Sequence, residues 1–158
     1  MTGASVAGLP YPIPSSAAAT ATMRANRRTE TAPELALRSA LHRRGFRFRA
    51  DFPVVAAGRR VRIDIAFPKR RVAVFVDGCF WHGCPKHSQT PRANPGYWLP
   101  KLERNRLRDA RNNDDLVGEG WRVIRIWEHE PTQAACDCVV ATLSLSENYR
   151  AAGKTAAN

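Results

Sequence analysis

Apolar and polar positions change period several times along this chain, and each change marks an element. Thr31-Ala32-Pro33-Glu34 reads as a helix start, with Thr31 as N-cap and Glu34 three residues on completing a capping box. Leu37 and Leu41 follow at helical spacing, and Gly45 supplies a C′ stop. Phe46, Phe48, Ala50 and Phe52 then alternate with polar neighbours, which predicts a strand; Gly58 marks a turn. Residues 61, 63, 65 and 67 are apolar and precede a turn over Pro68–Arg71 and a strand over Val72–Val76.

Pairing Phe67 with Val72 in an antiparallel hairpin puts Val61, Ile63, Ile65, Phe67, Val72, Val74 and Val76 on one face as a core. Asp64 then lies opposite Phe75 on the other face, with Asp77 its diagonal neighbour, ~7–8 Å away. Residues 78–96 read as a loop, 100–116 as a helix carrying Lys101, Arg104, Arg106, Arg108 and Arg111, Trp121–Trp127 as a strand, and Gln133–Leu145 as a last helix. The order α-β-β-β-α-β-α predicts an α/β domain with helices flanking a mixed central sheet. Residues 1–22, rich in Ala, Thr, Ser, Gly and Pro, read as a disordered N-terminal extension. The folded unit is expected over 23–146, with a flexible tail at 147–158.

Charge narrows the function. The 158 residues hold 25 Lys plus Arg against 14 Asp plus Glu, a formal net charge of +11. A polyanionic partner follows, nucleic acid first and an acidic membrane surface second. The longest plainly hydrophobic run, Val72–Val76, is far short of the ~18–20 residues of a membrane span. The 44% hydrophobic fraction excludes wholesale disorder. Four cysteines (Cys79, Cys84, Cys136, Cys138) are too few and too unevenly spaced for a disulfide scaffold. No basic, apolar secretory leader is visible, so a cytoplasmic location is expected.

Three constellations carry chemistry. Cys79-x4-Cys84-x2-His87 offers three ligands at zinc spacing, and tetrahedral zinc needs a fourth. His129 is the best candidate and Cys136 and Cys138 are rivals; the plain alternative is buried thiols and surface histidines. Glu34, Asp64 and Asp77, with His82 nearby, form an acidic set of the kind phosphodiester hydrolysis needs: hard oxygens for Mg²⁺ and a group that moves protons near neutral pH. Each member also has an ordinary explanation: a capping residue, an ion-pair partner, a turn residue and a further zinc-site residue. The third constellation is aromatic. Phe80-Trp81 and Tyr97-Trp98 sit on predicted loops near cations, where such rings can wedge between bases. Trp121 and Trp127 suit a core better.

Asp64, the run Val-Phe-Val-Asp-Gly-Cys-Phe-Trp-His-Gly-Cys-Pro at 74–85, Tyr97-Trp98 with Lys101, Asn105, Arg108 and Asp109, Gly120-Trp121-Arg122-Val123 and Trp127-Glu128 together resemble the very short patch repair endonucleases. Met23–Arg27 and Thr31–Glu34 fit as well, so the resemblance covers roughly residues 23–130, and Gly-Cys-Phe-Trp-His at 78–82 is its most specific part. The resemblance implies a restriction-endonuclease-like core with a zinc-stapled loop, and a strand-specific nickase for T·G mismatches that uses catalytic Mg²⁺ and structural Zn²⁺. It matches Asp64 to the metal-binding aspartate, His82 to the catalytic histidine and Glu34 to the helix glutamate that helps hold metal-bound water. It matches Phe80, Trp81 and Trp98 to the DNA-intercalating aromatics and places Cys79, Cys84, His87 and His129 in the zinc region. Asp109 would orient His82. The best-known members carry Thr at the position of Asp77, so here a carboxylate stands at the second metal position; their His-rich loop is replaced by Gly-Cys-Pro-Lys-His.

The resulting expectation is a monomer acting on mismatched double-stranded DNA at the nucleoid, with accessory repair proteins as further partners. Asp64 and Asp77 would hold Mg²⁺, while helix 100–116 and the arginines at 24–28 and 43–49 would hold phosphates. The alternatives are a same-fold nuclease for another DNA feature and a zinc-stabilised DNA-binding module without catalysis.

Overall fold

The computed structural model describes residues 30–87, 91, 92 and 94–155. The expected extension at 1–22 and the arginines at 24–28 lie outside these residues. Helix α1 (Ala32–Arg43) leads into β1 (Arg49–Ala56) and β2 (Arg59–Phe67), then a 3₁₀ turn and β3 (Val72–Asp77). A one-turn helix α2 (Cys79–His82), a long helix α3 (Pro95–Gly118), β4 (Arg122–Trp127) and α4 (Thr132–Thr155) complete the order. The four strands lie in the order β1-β2-β3-β4. The first three are antiparallel neighbours; β4 runs parallel to β3 after the α3 crossover, which makes the sheet mixed. This is the predicted architecture, consistent with a restriction-endonuclease-like core.

The β2–β3 hairpin has the predicted register, with Phe67 paired to Val72 and Ile65 to Val74. The single apolar face does not survive. Ile65, Phe67, Val72 and Val74 pack with Leu37 and Leu41 of α1 and Val139 and Leu143 of α4. Val61 and Ile63 instead join Ala66, Ala73, Phe75, Leu116 and Trp121 on the α3 side. A strand that keeps strict alternation cannot put Ile63 and Ile65 on opposite faces, so β2 breaks at Asp64. Asp51 of β1, at φ 47°, lies across from it, and both residues drop out of an otherwise regular β1–β2 register. The same break divides the predicted Phe46–Phe52 stripe: Phe46 and Phe48 pack on the α1/α4 side, Phe52 on the α3 side. Both faces of the sheet are thereby covered by helices, and a fully buried Ile or Leu in either core contributes ~1.5–3 kcal/mol.

Local chemistry sets the ends of the elements. Ala57 (φ 46°) and Gly58 (φ 73°) form the two-residue turn between β1 and β2, both in the left-handed region that a tight hairpin demands. Gly45 (φ 85°) stops α1 as predicted. The capping box does not form. Thr31 makes no side-chain cap bond, and buried Glu34 accepts the backbone N–H of Glu30 at 3.0 Å instead. Helix α3 starts at Pro95, ahead of the predicted Pro100, so Tyr97 and Trp98 are helical rather than on a loop. Pro95 fits the first turn, where an N–H has no helical partner to lose. Helix α4 continues past Leu145 to Thr155.

Candidate active site and metal centre

The break in β2 builds the acidic site. Where β2 leaves β3, the Asp64 carboxylate takes over from the sheet and accepts the Val76 backbone N–H at 2.8 Å. Glu34 reaches the same place from the first turn of α1, where it pairs with Arg38. Arg38 also donates to the Asp64 backbone carbonyl at 3.1 Å, which ties the helix to the break. The Arg38 Nε–H is the one buried side-chain polar atom without a hydrogen-bond partner among the described residues. Burial pushes the Asp64 carboxyl up to about 6, and the negative charges of Glu34 and Asp77 add to the shift. The Val76 N–H and Arg38 oppose it. Asp64 and Asp77 therefore feel each other's charge, as the hairpin predicted, although Asp64 gets there through a kink rather than a regular diagonal pair.

Asp77 closes β3 and is 4% exposed. Both of its oxygens accept from Arg125 of β4, at 2.7 and 2.8 Å. Arg125 lies over the Phe75 ring and also reaches Asp109 at 3.5 Å. His82, from α2, has its Nδ1 2.5 Å from Asp109 Oδ2 on α3 and 3.7 Å from Asp77 Oδ1. Burial works to lower the His82 pKa, but the Asp109 bond and the two carboxylate charges outweigh it and the net shift is upward. Asp109 is held below the ordinary aspartate value despite burial, chiefly by its bond to His82 and by nearby arginines. An imidazole fixed through Nδ1 in this way keeps Nε2 for proton exchange. The site thus joins a crowded carboxylate group to an oriented histidine.

Next to it, Cys79, Cys84, His87 and His129 bring one ligand atom each to within 4.8 Å of one another. Cys79 Sγ is 3.1 Å from His129 Nδ1 and 3.9 Å from His87 Nδ1; Cys84 Sγ is 3.7 Å from each. Tetrahedral zinc with ordinary bond lengths requires S···N edges of ~3.5 Å, so these four side chains could hold a metal ion. Cys136 is buried in the α4 core and Cys138 is exposed on the same helix, which removes the two rivals to His129. Burial and the neighbouring Cys84 thiol push Cys79 up to about 11.

Glu128 locks the two centres together. Its side chain accepts the Cys79 N–H at 2.7 Å and its own N–H donates to the Asp77 carbonyl at 2.9 Å. A Cβ on Gly78 would meet Trp81 at 3.3 Å and Glu128 at 3.7 Å, so this turn has little room for a side chain. The roles of Glu128, Arg125 and Arg38 were not predicted from the sequence. Glu128 alone carried a signal, its place directly before the zinc candidate His129.

The aromatics also converge. Trp98 stacks edge-on with Trp81 (5.7 Å), Phe80 (5.8 Å) and Tyr97 (5.0 Å between centroids). Lys101 lies 5.1–5.5 Å from the Trp81, Tyr97 and Trp98 rings. Phe80 and Trp81 are half-buried, whereas Trp98 is 8% exposed and forms the base of the cluster. Trp121 is core, as expected; Trp127 is half-buried and stacks on His129. The expected phosphate-holding stretch at 43–49 does not converge on the site: Arg44 and Arg47 stand by the β2–β3 turn, at the opposite end of β3 from Asp77.

Known proteins match this chain in sequence. A family model described as DNA mismatch endonuclease Vsr matches residues 14–88. The type II nicking enzyme V.NaeI of Lentzea aerocolonigenes is 52% identical over 134 residues, which is 84% of this chain and 81% of that protein. The chain belongs to the Vsr family. Two further relatives span it less fully. The type II nicking enzyme V.XorIIP of Xanthomonas oryzae pv. oryzae is 46% identical over 66% of this chain and 74% of its own length. The DNA mismatch endonuclease Vsr of Escherichia coli is 36% identical over 67% of this chain and 66% of its own length. A Vsr-family chain is a mismatch-directed DNA endonuclease, and in this chain the aromatic cluster, the carboxylates and the Cys/His centre lie side by side. No helix among the described residues is long and apolar enough to cross a membrane.

Proposed function

We propose that this chain nicks one strand of double-stranded DNA at a T·G mismatch, by Mg²⁺-dependent phosphodiester hydrolysis. The observation that carries this is the crowding of Asp64, Glu34 and Asp77 beside the Asp109–His82 pair. A carboxyl pushed up to about 6 by burial and like charges is a poor structural choice. It is a good ligand for a hard divalent cation, which relieves the repulsion. Asp64 would hold Mg²⁺ first, with Asp77 as the second carboxylate and Arg125 balancing its charge. Bound there, Mg²⁺ would neutralise charge developing on the scissile phosphate.

The chain's own residues do the rest. Glu34 orients the attacking water from α1. The water oxygen forms the new P–O bond as its proton passes to His82 Nε2, and the bond to the leaving oxygen breaks, that oxygen taking a proton from solvent water. Asp109 keeps that ring aimed. Phe80 and Trp81, backed by Trp98, wedge into the stack beside the mismatch. The cations of α3 hold the phosphates. Zinc in the Cys79–Cys84–His87–His129 centre would fix the turn that carries both Phe80-Trp81 and His82.

On this reading the protein works as a monomer at the nucleoid, and accessory repair proteins act before and after it. Nicking of end-labelled duplexes with T·G, other mismatched and fully matched pairs tests the proposal. Cutting of one strand at T·G is expected; equal cutting of all duplexes rejects mismatch specificity, and binding without any cutting leaves only a zinc-stabilised DNA-binding module. Metal analysis of the purified protein should give about one zinc per chain.

A further inference from the structure

At the end of the sheet remote from Asp77 there is a second concave site, of about 640 Å³, between the α1–β1 connection and the β2–β3 turn. Its chemistry is one-sided. Arg44, Arg47, Arg49, Lys69 and Arg70 line it together with Phe46, Phe48 and Phe67, and among the described residues no carboxylate lines it. Arg44 is partly neutralised by Asp137 of α4, 2.6 Å away; Arg47 and Lys69 are exposed. The aromatic side is equally organised. Phe48 packs edge-on against buried Phe67, with centroids 6.1 Å apart, and half-buried Phe46 carries the Arg70 guanidinium 5.8 Å from its ring centre. The strand from Val72 to Asp77 spans ~17 Å, so a ligand here need not enter the carboxylate site.

We propose that this Phe46–Arg47–Lys69–Arg70 pocket is a second nucleic-acid site that takes single-stranded DNA, with phosphates on the rim cations and a base against Phe46. Alternating cations and aromatic rings suit a strand whose bases are free to stack, because every base offers a ring face and every linkage an anion. A duplex hides those faces, and an acidic peptide would use the cations but not the phenyl rings. The net charge of +11 adds attraction everywhere on the surface, so the pocket is distinguished by location and by its rings. This site does not depend on the nicking proposal. The two connect naturally: strand displacement at a nick yields the class of ligand that the pocket fits.

The test is fluorescence anisotropy of the full chain with a fluorescein-labelled oligothymidylate of about ten nucleotides at fixed salt. Arg47→Glu should weaken binding at least tenfold, and Phe46→Leu about threefold to tenfold. Arg60→Glu, an equal charge reversal on β2, should change it less than twofold, and Arg47→Glu should keep the parental melting temperature and nicking rate. Equal losses in Arg47→Glu and Arg60→Glu overturn the proposal, as does parental affinity in Phe46→Leu. Tighter binding of a decaglutamate peptide than of the oligonucleotide also overturns it, in favour of an acidic protein partner. A parent that binds the oligonucleotide here but nicks nothing would sink the proposed function and leave this site standing.

Discussion

The Cys/His centre and the carboxylate site are built by opposite means, although Glu128 joins them. Three of the four Cys/His positions fall within nine residues, and the fourth follows β4 directly, so chain proximity does most of the assembly. The ligand atoms lie within 4.8 Å of one another, close enough to hold a metal ion. The carboxylate site draws Glu34 from α1, Asp64 from a broken strand and Asp77 from a strand end, and it gathers groups that repel one another. On the proposed reading the first would be a clamp that lends stability, and the second gathers charge that a proton or a bound cation relieves.

The largest expected effect is catalytic. Asp64→Ala should cut nicking by at least about a hundredfold while DNA binding stays within a few fold, since phosphate contacts made elsewhere supply most of the affinity. Unchanged nicking would break the contrast at once. The clamp should respond the other way. Cys84→Ser, or exhaustive chelation, should remove several kcal/mol of stability and lower the melting temperature by about ten degrees or more, because metal binding is coupled to folding. A melting temperature indifferent to both would show that the four side chains pack without an ion.

A third experiment turns the stored charge into a pH signature. The Asp64 pKa of about 6 lies above its unfolded value near 3.8, so the folded state holds this proton more tightly. The stability it contributes is full below the unfolded value and is lost as pH rises through the folded one. In chelator, Asp64→Asn should therefore be more stable than the parent above pH 6, by ~1–3 kcal/mol, with the gain fading between the two values. Denaturant melts at several pH values check this; a loss of stability at high pH contradicts it. Smaller still is the expected effect of Asp109→Asn. The upward pull on His82 should weaken, moving the histidine-dependent limb of the pH–rate profile to lower pH, with a loss of ~10–100-fold in rate. A profile that keeps its position would deny Asp109 the orienting role.

What the sequence disclosed follows the same division. The β2–β3 register was legible because the short turn ties Phe67 to Val72 and the paired stretch keeps Ile65, Phe67, Val72 and Val74 on one face, and the Cys/His set was legible because it is local. The break at Asp64 was not. Apolar residues at 61, 63, 65 and 67 look like one stripe whether or not the strand kinks, and nothing in the identity of Asp51 announces a φ of 47°. The start of α3 was missed for a different reason: Pro100 looks like a boundary, yet the helix passes through it from Pro95. Arg125 was invisible because its partners Asp77 and Asp109 come from other elements, and Arg38, although it pairs with Glu34 one turn away, because its reach to the Asp64 carbonyl crosses from α1 to β2. Each is one of many arginines until β4 is set beside β3 and α1 against the break.

The central claim is that the buried carboxylates exist to bind a divalent cation. Calorimetric titration of Mg²⁺ into the parent protein and into Asp64→Asn at about pH 7.5, without DNA, tests it most directly. The parent should bind Mg²⁺ saturably and gain thermal stability from it, and the variant should do neither; equal binding by both proteins would contradict the account.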